Sequence, residues 1–104
     1  MPEVKVCSVK DVKPGSSERF DIDSYKVCIV HIGDDWYAIN DTCSHEDYSL
    51  CEGDVWDEER EIECPKHGST FDLRTGEPQT LPATQPVPVY DVKIDGDDVI
   101  VTLP

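Results

Sequence analysis

The sequence predicts an all-β protein built from small antiparallel sheets. Three observations carry this expectation. Short runs of alternating or β-branched apolar residues recur along the chain. Glycine, proline and aspartate clusters punctuate them at turn spacing. No segment sustains a helical period, and no internal repeat of solenoid length is present. With 104 residues, the expectation is one domain spanning 1–104. Apolar residues make up 38% and charged residues 31%, so the core must be small.

Val4-Lys5-Val6-Cys7-Ser8-Val9 alternates as a strand does. Lys13-Pro14-Gly15-Ser16-Ser17 is a turn, and Arg19-Phe20-Asp21-Ile22 a weaker second strand. Tyr25 to Ile32 is rich in β-branched residues. Gly33-Asp34-Asp35 turns it into Trp36-Tyr37-Ala38-Ile39, which makes a hairpin. Gly53-Asp54-Val55-Trp56 and Ile62-Glu63-Cys64 flank the acidic run Asp57-Glu58-Glu59-Arg60-Glu61, read as a second, short hairpin. Ser69-Thr70-Phe71-Asp72 is a short strand and Arg74-Thr75-Gly76-Glu77-Pro78 a turn. The stretch from Leu81 to Pro88 holds too much proline for a helix or a central strand. Val89 to Ile94 and Val99 to Leu103 flank Asp95-Gly96, a strong hairpin signal. The acids there are not an EF-hand, because Lys93 stands where a ligand is needed.

The chemistry lies in Cys43-Ser44-His45 and Cys64-Pro65-Lys66-His67, separated by eighteen residues. Each segment supplies one thiolate and one imidazole. A mononuclear zinc finger usually takes its cysteines from one segment and its histidines from another. Alternation of the two suits a two-centre cluster straddled by both segments. Cys43 and Cys64 would hold one iron, and His45 and His67 the other. That is the ligand set of a Rieske [2Fe–2S] centre, where two histidines replace two cysteines on one iron. At these residues, and through Gly68-Ser69 and Phe71-Asp72-Leu73-Arg74-Thr75-Gly76, the sequence strongly resembles the Rieske-type ferredoxins of bacteria. The resemblance covers essentially the whole chain.

The resemblance implies one [2Fe–2S] cluster bound by a subdomain at about 42–76, inserted between strands. It implies an exposed histidine iron, a buried cysteine iron, and a proline-containing loop beside them that includes Pro82. It also sets this chain apart from the respiratory type of Rieske protein. That type joins its ligand loops by a disulfide, whose positions here hold Tyr48 and Lys66. It carries a tyrosine that donates to a cysteine sulfur, where this chain has Phe71. Ser69 is retained as a donor. Lys66, Ser69, Phe71 and Pro82 are therefore expected to surround the cluster.

Five cysteines are present, at 7, 28, 43, 51 and 64. With two assigned as ligands, an odd remainder argues against a complete disulfide framework. Cys7 and Cys28 read as core residues, since free cysteine packs as a small hydrophobe. Cys51 reads as a free thiol near the site, and His31 as a surface or satisfied histidine.

The net charge of −14 comes from 23 acidic and 9 basic residues. Nucleic acid and anionic membrane are disfavoured as partners. Basic protein patches are favoured. The alternative for this acidity is solubility alone, and for the acidic turn a solvated loop. No apolar run approaches a membrane span and no signal peptide is evident, so a soluble, cytoplasmic protein is expected; a monomer is expected as well. The cluster passes one electron at a time and needs no substrate pocket. Only His31 is left for a further iron, and no G-x-G-x-x-G element is present for a nicotinamide or flavin. The protein is then no enzyme but an electron carrier, for which the resemblance implies a flavin-dependent ferredoxin reductase upstream and a terminal oxygenase downstream. Two alternatives keep the cluster: a subunit of another reductase, such as nitrite reductase, and an accessory of iron–sulfur assembly. A third is a structural zinc module with the four ligands on one ion.

Overall fold

The computed structural model of the protein describes residues 3–42, 49–65, 68–79 and 85–103. Among these residues the strands are β1 (Glu3–Ser8), β2 (Ser16–Ile22), β3 (Tyr25–Ile32), β4 (Asp35–Asn40), β5 (Val55–Trp56), β6 (Glu61–Glu63), β7 (Thr70–Asp72), β8 (Val89–Asp95) and β9 (Asp98–Thr102). All strand pairings are antiparallel. One sheet of six strands runs β1-β9-β8-β4-β3-β2, and a sheet of three runs β5-β6-β7. The expected all-β class is therefore the observed one. Two short 3-10 turns, Val9–Asp11 and Leu50–Glu52, complete the described elements. No helix among the described residues is long and apolar enough to cross a membrane.

Strand β3 positions everything else. Its residues are apolar on both faces, and successive side chains point to opposite sides of a sheet. Val27 and Ile29 face a core shared with Cys7, Val12, Ala38, Val99, Val101 and Leu103. The β1-β9-β8 half of the large sheet thereby packs across from the β4-β3-β2 half. The two halves are joined in the ladder by only two pairs, Ala38 with Tyr90 and Ile39 with Val89. Cys28, Val30 and Ile32 face a second core, completed by Ile39, Leu50, Ile62, Cys64, Phe71, Leu73 and Val87. That second core seats the small sheet against the large one. Arg60, in the β5–β6 turn, adds a polar tie: its guanidinium donates to the Ile32 carbonyl and pairs with Asp35.

The final hairpin is offset from its expected turn. Asp95 pairs with Asp98, so the two connecting residues are Gly96 and Asp97. Gly96 takes a left-handed φ of 63°, which glycine adopts at no steric cost. His31 stacks on Trp36, with ring centroids 3.8 Å apart, and its Nδ1 donates to the Val12 carbonyl at 2.9 Å. It is a satisfied histidine, as expected. Five of the nine basic side chains are also engaged. Lys5, Lys93, Arg19, Arg60 and Arg74 each pair with a carboxylate.

The expectation of a free thiol at Cys51 is overturned. Cys51 forms a disulfide with Cys28, with Cα atoms 5.7 Å apart. Cys28 is buried as expected, but as a half-cystine. The strand places Cys28 on the second-core face, and the 3-10 turn returning to that core brings Cys51 against it.

Gly53 ends that turn in a place without room for a side chain. A Cβ there would run into the carbonyl of Glu63, the residue before Cys64. Gly53→Ala should therefore push the turn off β6 and destabilise the protein by roughly 1–3 kcal/mol. Denaturant unfolding followed by circular dichroism measures this, and a variant as stable as the parent would show that the two backbones are not in close contact.

Candidate metal centre

The first candidate ligand segment follows the end of β4 in the chain. Thr42 and Ser49 face one another in an isolated antiparallel bridge, so the chain departs and returns at one point. Asp41 fixes that point. It is 1% exposed, and its Oδ1 accepts from the Ser49 hydroxyl at 2.9 Å and from the Cys51 amide at 3.0 Å. Its own carbonyl accepts from the Leu50 amide. The Arg19 guanidinium stands 3.8 Å from Oδ2. A buried carboxylate requires such partners, and these organise the 3-10 turn that carries Leu50 into the second core.

The second candidate ligand segment lies between β6 and β7 in the chain. The Cys64 amide donates to the Ser69 carbonyl at 2.7 Å, and the Gly68 amide donates to the Cys64 carbonyl at 2.9 Å. Gly68 has a φ of 74°, which lets the chain reverse tightly into β7. Cys64 is fully buried, and Phe71 and Ile62, a cross-strand pair, are buried in the same core. Ser69 is also buried. Beyond β7 the turn is stapled by Asp72, whose carboxylate accepts from the Arg74 amide at 2.7 Å and from its guanidinium at 3.0 Å. These bonds hold the Asp72 carboxyl below its ordinary range, the Arg74 side chain first among the causes. The pair's contribution to stability is therefore present above the ordinary aspartate range and is lost as pH falls through the lowered value.

The two bases share one foundation. Leu50, from the first, and Cys64 and Phe71, from the second, belong to the same core. The proline-rich stretch ends on it too. The Val87 amide donates to the Gly76 carbonyl and the Pro88 carbonyl accepts from Asn40. Gly76, at a φ of 79°, leaves space that a Cβ would take from the Val87 carbonyl.

Of the residues singled out in the sequence, Cys64, Ser69 and Phe71 lie together here. Cys43, His45, Tyr48, Lys66, His67 and Pro82 fall outside the described residues. Sequence reasoning missed Asp41 and the Cys28–Cys51 disulfide. An acid directly before Thr42-Cys43 with a serine eight residues on is the one available signal for Asp41, because short polar side chains at loop bases commonly accept from nearby amides.

The donor chemistry fits an iron–sulfur cluster. A fully buried cysteine is stable as a thiol, but as a thiolate only when bonded to a cation. Cys64 is buried in an apolar core, and the sequence just after it also offers an imidazole, His67.

Comparison with known proteins agrees. The family model of the Rieske [2Fe-2S] domain matches residues 2–91. The 3-phenylpropionate/cinnamic acid dioxygenase ferredoxin subunit of Shigella boydii is 39% identical over 104 residues, covering all of this chain and 96% of that protein. The ferredoxin of carbazole 1,9a-dioxygenase from Nocardioides aromaticivorans superposes with a TM-score of 0.92 at 42% identity, covering 97% of both chains. A ferredoxin solved in complex with the oxygenase of carbazole 1,9a-dioxygenase superposes with a TM-score of 0.87 at 36% identity, covering 95% of this chain and 91% of that one. By sequence and by fold, the chain belongs to the Rieske [2Fe-2S] domain family, as one of its ferredoxins, and carries one [2Fe-2S] cluster.

Proposed function

We propose that the protein is a soluble, cytoplasmic, monomeric one-electron carrier of an aromatic-compound oxygenase system. It takes its electron from a flavin-dependent ferredoxin reductase and passes it to a terminal oxygenase. The observation that supports this reading best is end-to-end similarity to dioxygenase ferredoxin subunits, one of which was solved on its oxygenase. In this reading residues 1–104 are one domain with a cluster-binding subdomain at about 42–76, and Cys43, His45, Cys64 and His67 are the ligands.

When bound, the cluster supplies one-electron oxidation and reduction at iron. The chain does the rest. Asp41 and Gly68 fix where the two ligand segments begin and turn. The second core keeps Cys64 away from water, and Ser69 and Phe71 shape its surroundings.

The small sheet supplies a docking edge. Trp56 is 45% exposed, with its indole nitrogen donating to Glu63, and Asp57, Glu58 and Glu59 follow it in the exposed turn. An aromatic anchor ringed by acids suits a cationic protein face.

Purified protein should contain two irons and two acid-labile sulfides per chain, and His67→Ala or Cys64→Ala should abolish the visible absorption of the cluster. One zinc without labile sulfide would sink the assignment.

Reduction by the partner should slow as salt rises, since exposed charges are screened over about 8 Å at physiological ionic strength. Neutralising Asp57, Glu58 and Glu59 together should reproduce most of that loss at low salt. Turnover indifferent to salt would reduce the acidic face to a solubility feature.

Rieske centres span roughly −150 to +300 mV. Phe71 offers no hydroxyl to a ligand sulfur, and the charge of −14 disfavours a further electron. The potential should fall in the lower part of the range, and Phe71→Tyr should raise it by restoring a donor. Voltammetry of both proteins decides this, and a parent value above about +200 mV would point to the respiratory type.

A further inference from the structure

The Cys28–Cys51 disulfide closes a ring of chain that contains the second half of β3, all of β4 and the point where the first ligand segment begins. Its two ends differ. Cys28 is fully buried in the second core, whereas Cys51 is half-buried. Cys51 also lines a cleft of about 270 Å³, together with Ser17, Glu18, Arg19, Ser49 and Glu52. The Ser17 hydroxyl donates to the Cys51 carbonyl at 3.1 Å, which holds one wall of the cleft to the 3-10 turn. Of the two half-cystines only Cys51 borders this cleft, and the group that would leave on attack there is the enclosed one. In the reducing compartment we have inferred, a disulfide that persists or opens does so according to its access to thiols.

We propose that Cys28–Cys51 is a thiol-exchange site, opened at Cys51 by a dithiol that enters this cleft, and that its opening releases the base of the first ligand segment from β3. The reductant's first thiolate attacks the Cys51 sulfur. A reductant–Cys51 disulfide forms, the Cys28–Cys51 bond breaks, and Cys28 leaves as a neutral thiol, taking up as the bond breaks the proton that the reductant's first thiol released. The reductant's second thiolate then attacks its own sulfur in that mixed disulfide. It departs as a cyclic disulfide, and Cys51 takes up a proton. Two electrons and two protons pass from the dithiol to the cysteine pair, so the step balances. Glu18 and Glu52 outnumber Arg19 on the cleft wall, so an uncharged dithiol enters more readily than an anionic monothiol.

What remains after opening is weaker. The turn then holds to the large sheet through the Asp41 carboxylate, the Ser17 hydroxyl and the burial of Leu50. Loss of a cross-link over a ring of this size lowers the free energy needed to open or unfold what it encloses. The consequence for the cluster rests on the function proposed above, whereas the exchange itself does not.

The test has two arms, both on the intact, cluster-loaded protein. In the first, dithiothreitol is added under native conditions, the protein is alkylated, and peptides are mapped by mass spectrometry. Before reduction the peptides of Cys28 and Cys51 should run as one linked species. After reduction Cys51 should label first and Cys28 later. Cys7 should lag as well, since burial, aided by Asp11, pushes its thiol up to about 11. An unlinked pair before treatment, or a bond that opens only after denaturation, overturns the proposal. In the second arm, cluster loss to an iron chelator is followed by visible absorbance. Reduced protein should lose it roughly tenfold faster than oxidised protein. The double variant Cys28→Ser, Cys51→Ser should lose it at the fast rate and ignore dithiothreitol, which also reports any direct attack of the dithiol on the cluster. Equal rates in the two redox states overturn the coupling to the site. A protein that never holds iron and sulfide fails the functional reading instead, and leaves the peptide mapping as the test of exchange.

Discussion

A strand that is apolar on both faces must be covered on both, and β3 imposes that requirement on the whole chain. Val27 and Ile29 call for one cover, Cys28, Val30 and Ile32 for another. The first is met by β1, β8 and β9, which curl back across from β3 and β4. The second cannot be met by the same strands, because they lie on the wrong side. It is met by the short strands β5 to β7 and the turn around Leu50. These pieces are too short to stand alone, since isolated two-stranded hairpins are marginal in water. They persist because β3 gives them something to bury.

That arrangement gives the chain around the two candidate ligand segments a shared base. Leu50, just after the first, and Cys64 and Phe71, at and beyond the second, are all buried in the second core. Backbone and carboxylate hydrogen bonds then set direction at each anchor, from Asp41 in one case and Ser69 in the other. Gly53 lets the two anchors approach until backbone meets backbone. Precision at the site thus comes from the rigid base.

The parts of this design that were legible in the sequence are those fixed locally. Tyr25–Ile32 is bounded in the structure as its β-branched run suggests, and the final hairpin differs from its expectation only in which pair of residues makes the turn. Membership of the family was legible because the Cys-x-His and Cys-x-x-His spacings are short and specific. What could not be read depends on distance in space. Cys28 and Cys51 are 23 residues apart, and nothing in either neighbourhood announces that β3 and a three-residue turn will meet. Counting cysteines suggested an incomplete framework, which is true and still compatible with one bridge. The 3-10 turns escaped because a turn of three residues has no period. Ser8 caps one, and the Asp41 side chain receives an amide of the other, both through polar contacts that periodicity does not see.

The ion pairs have a consequence of their own. Five of the nine basic side chains are already matched with carboxylates among the described residues, and the small chain carries 23 acids. Little positive charge is left to oppose the rest, so the folded chain pushes against itself. Dissolved cations are the remaining source of relief, and their atmosphere becomes part of what holds the molecule compact. Ionic strength then acts with two signs. Saltier water firms the fold while it slackens the hold on a cationic partner, and both effects arise from the same unbalanced charge.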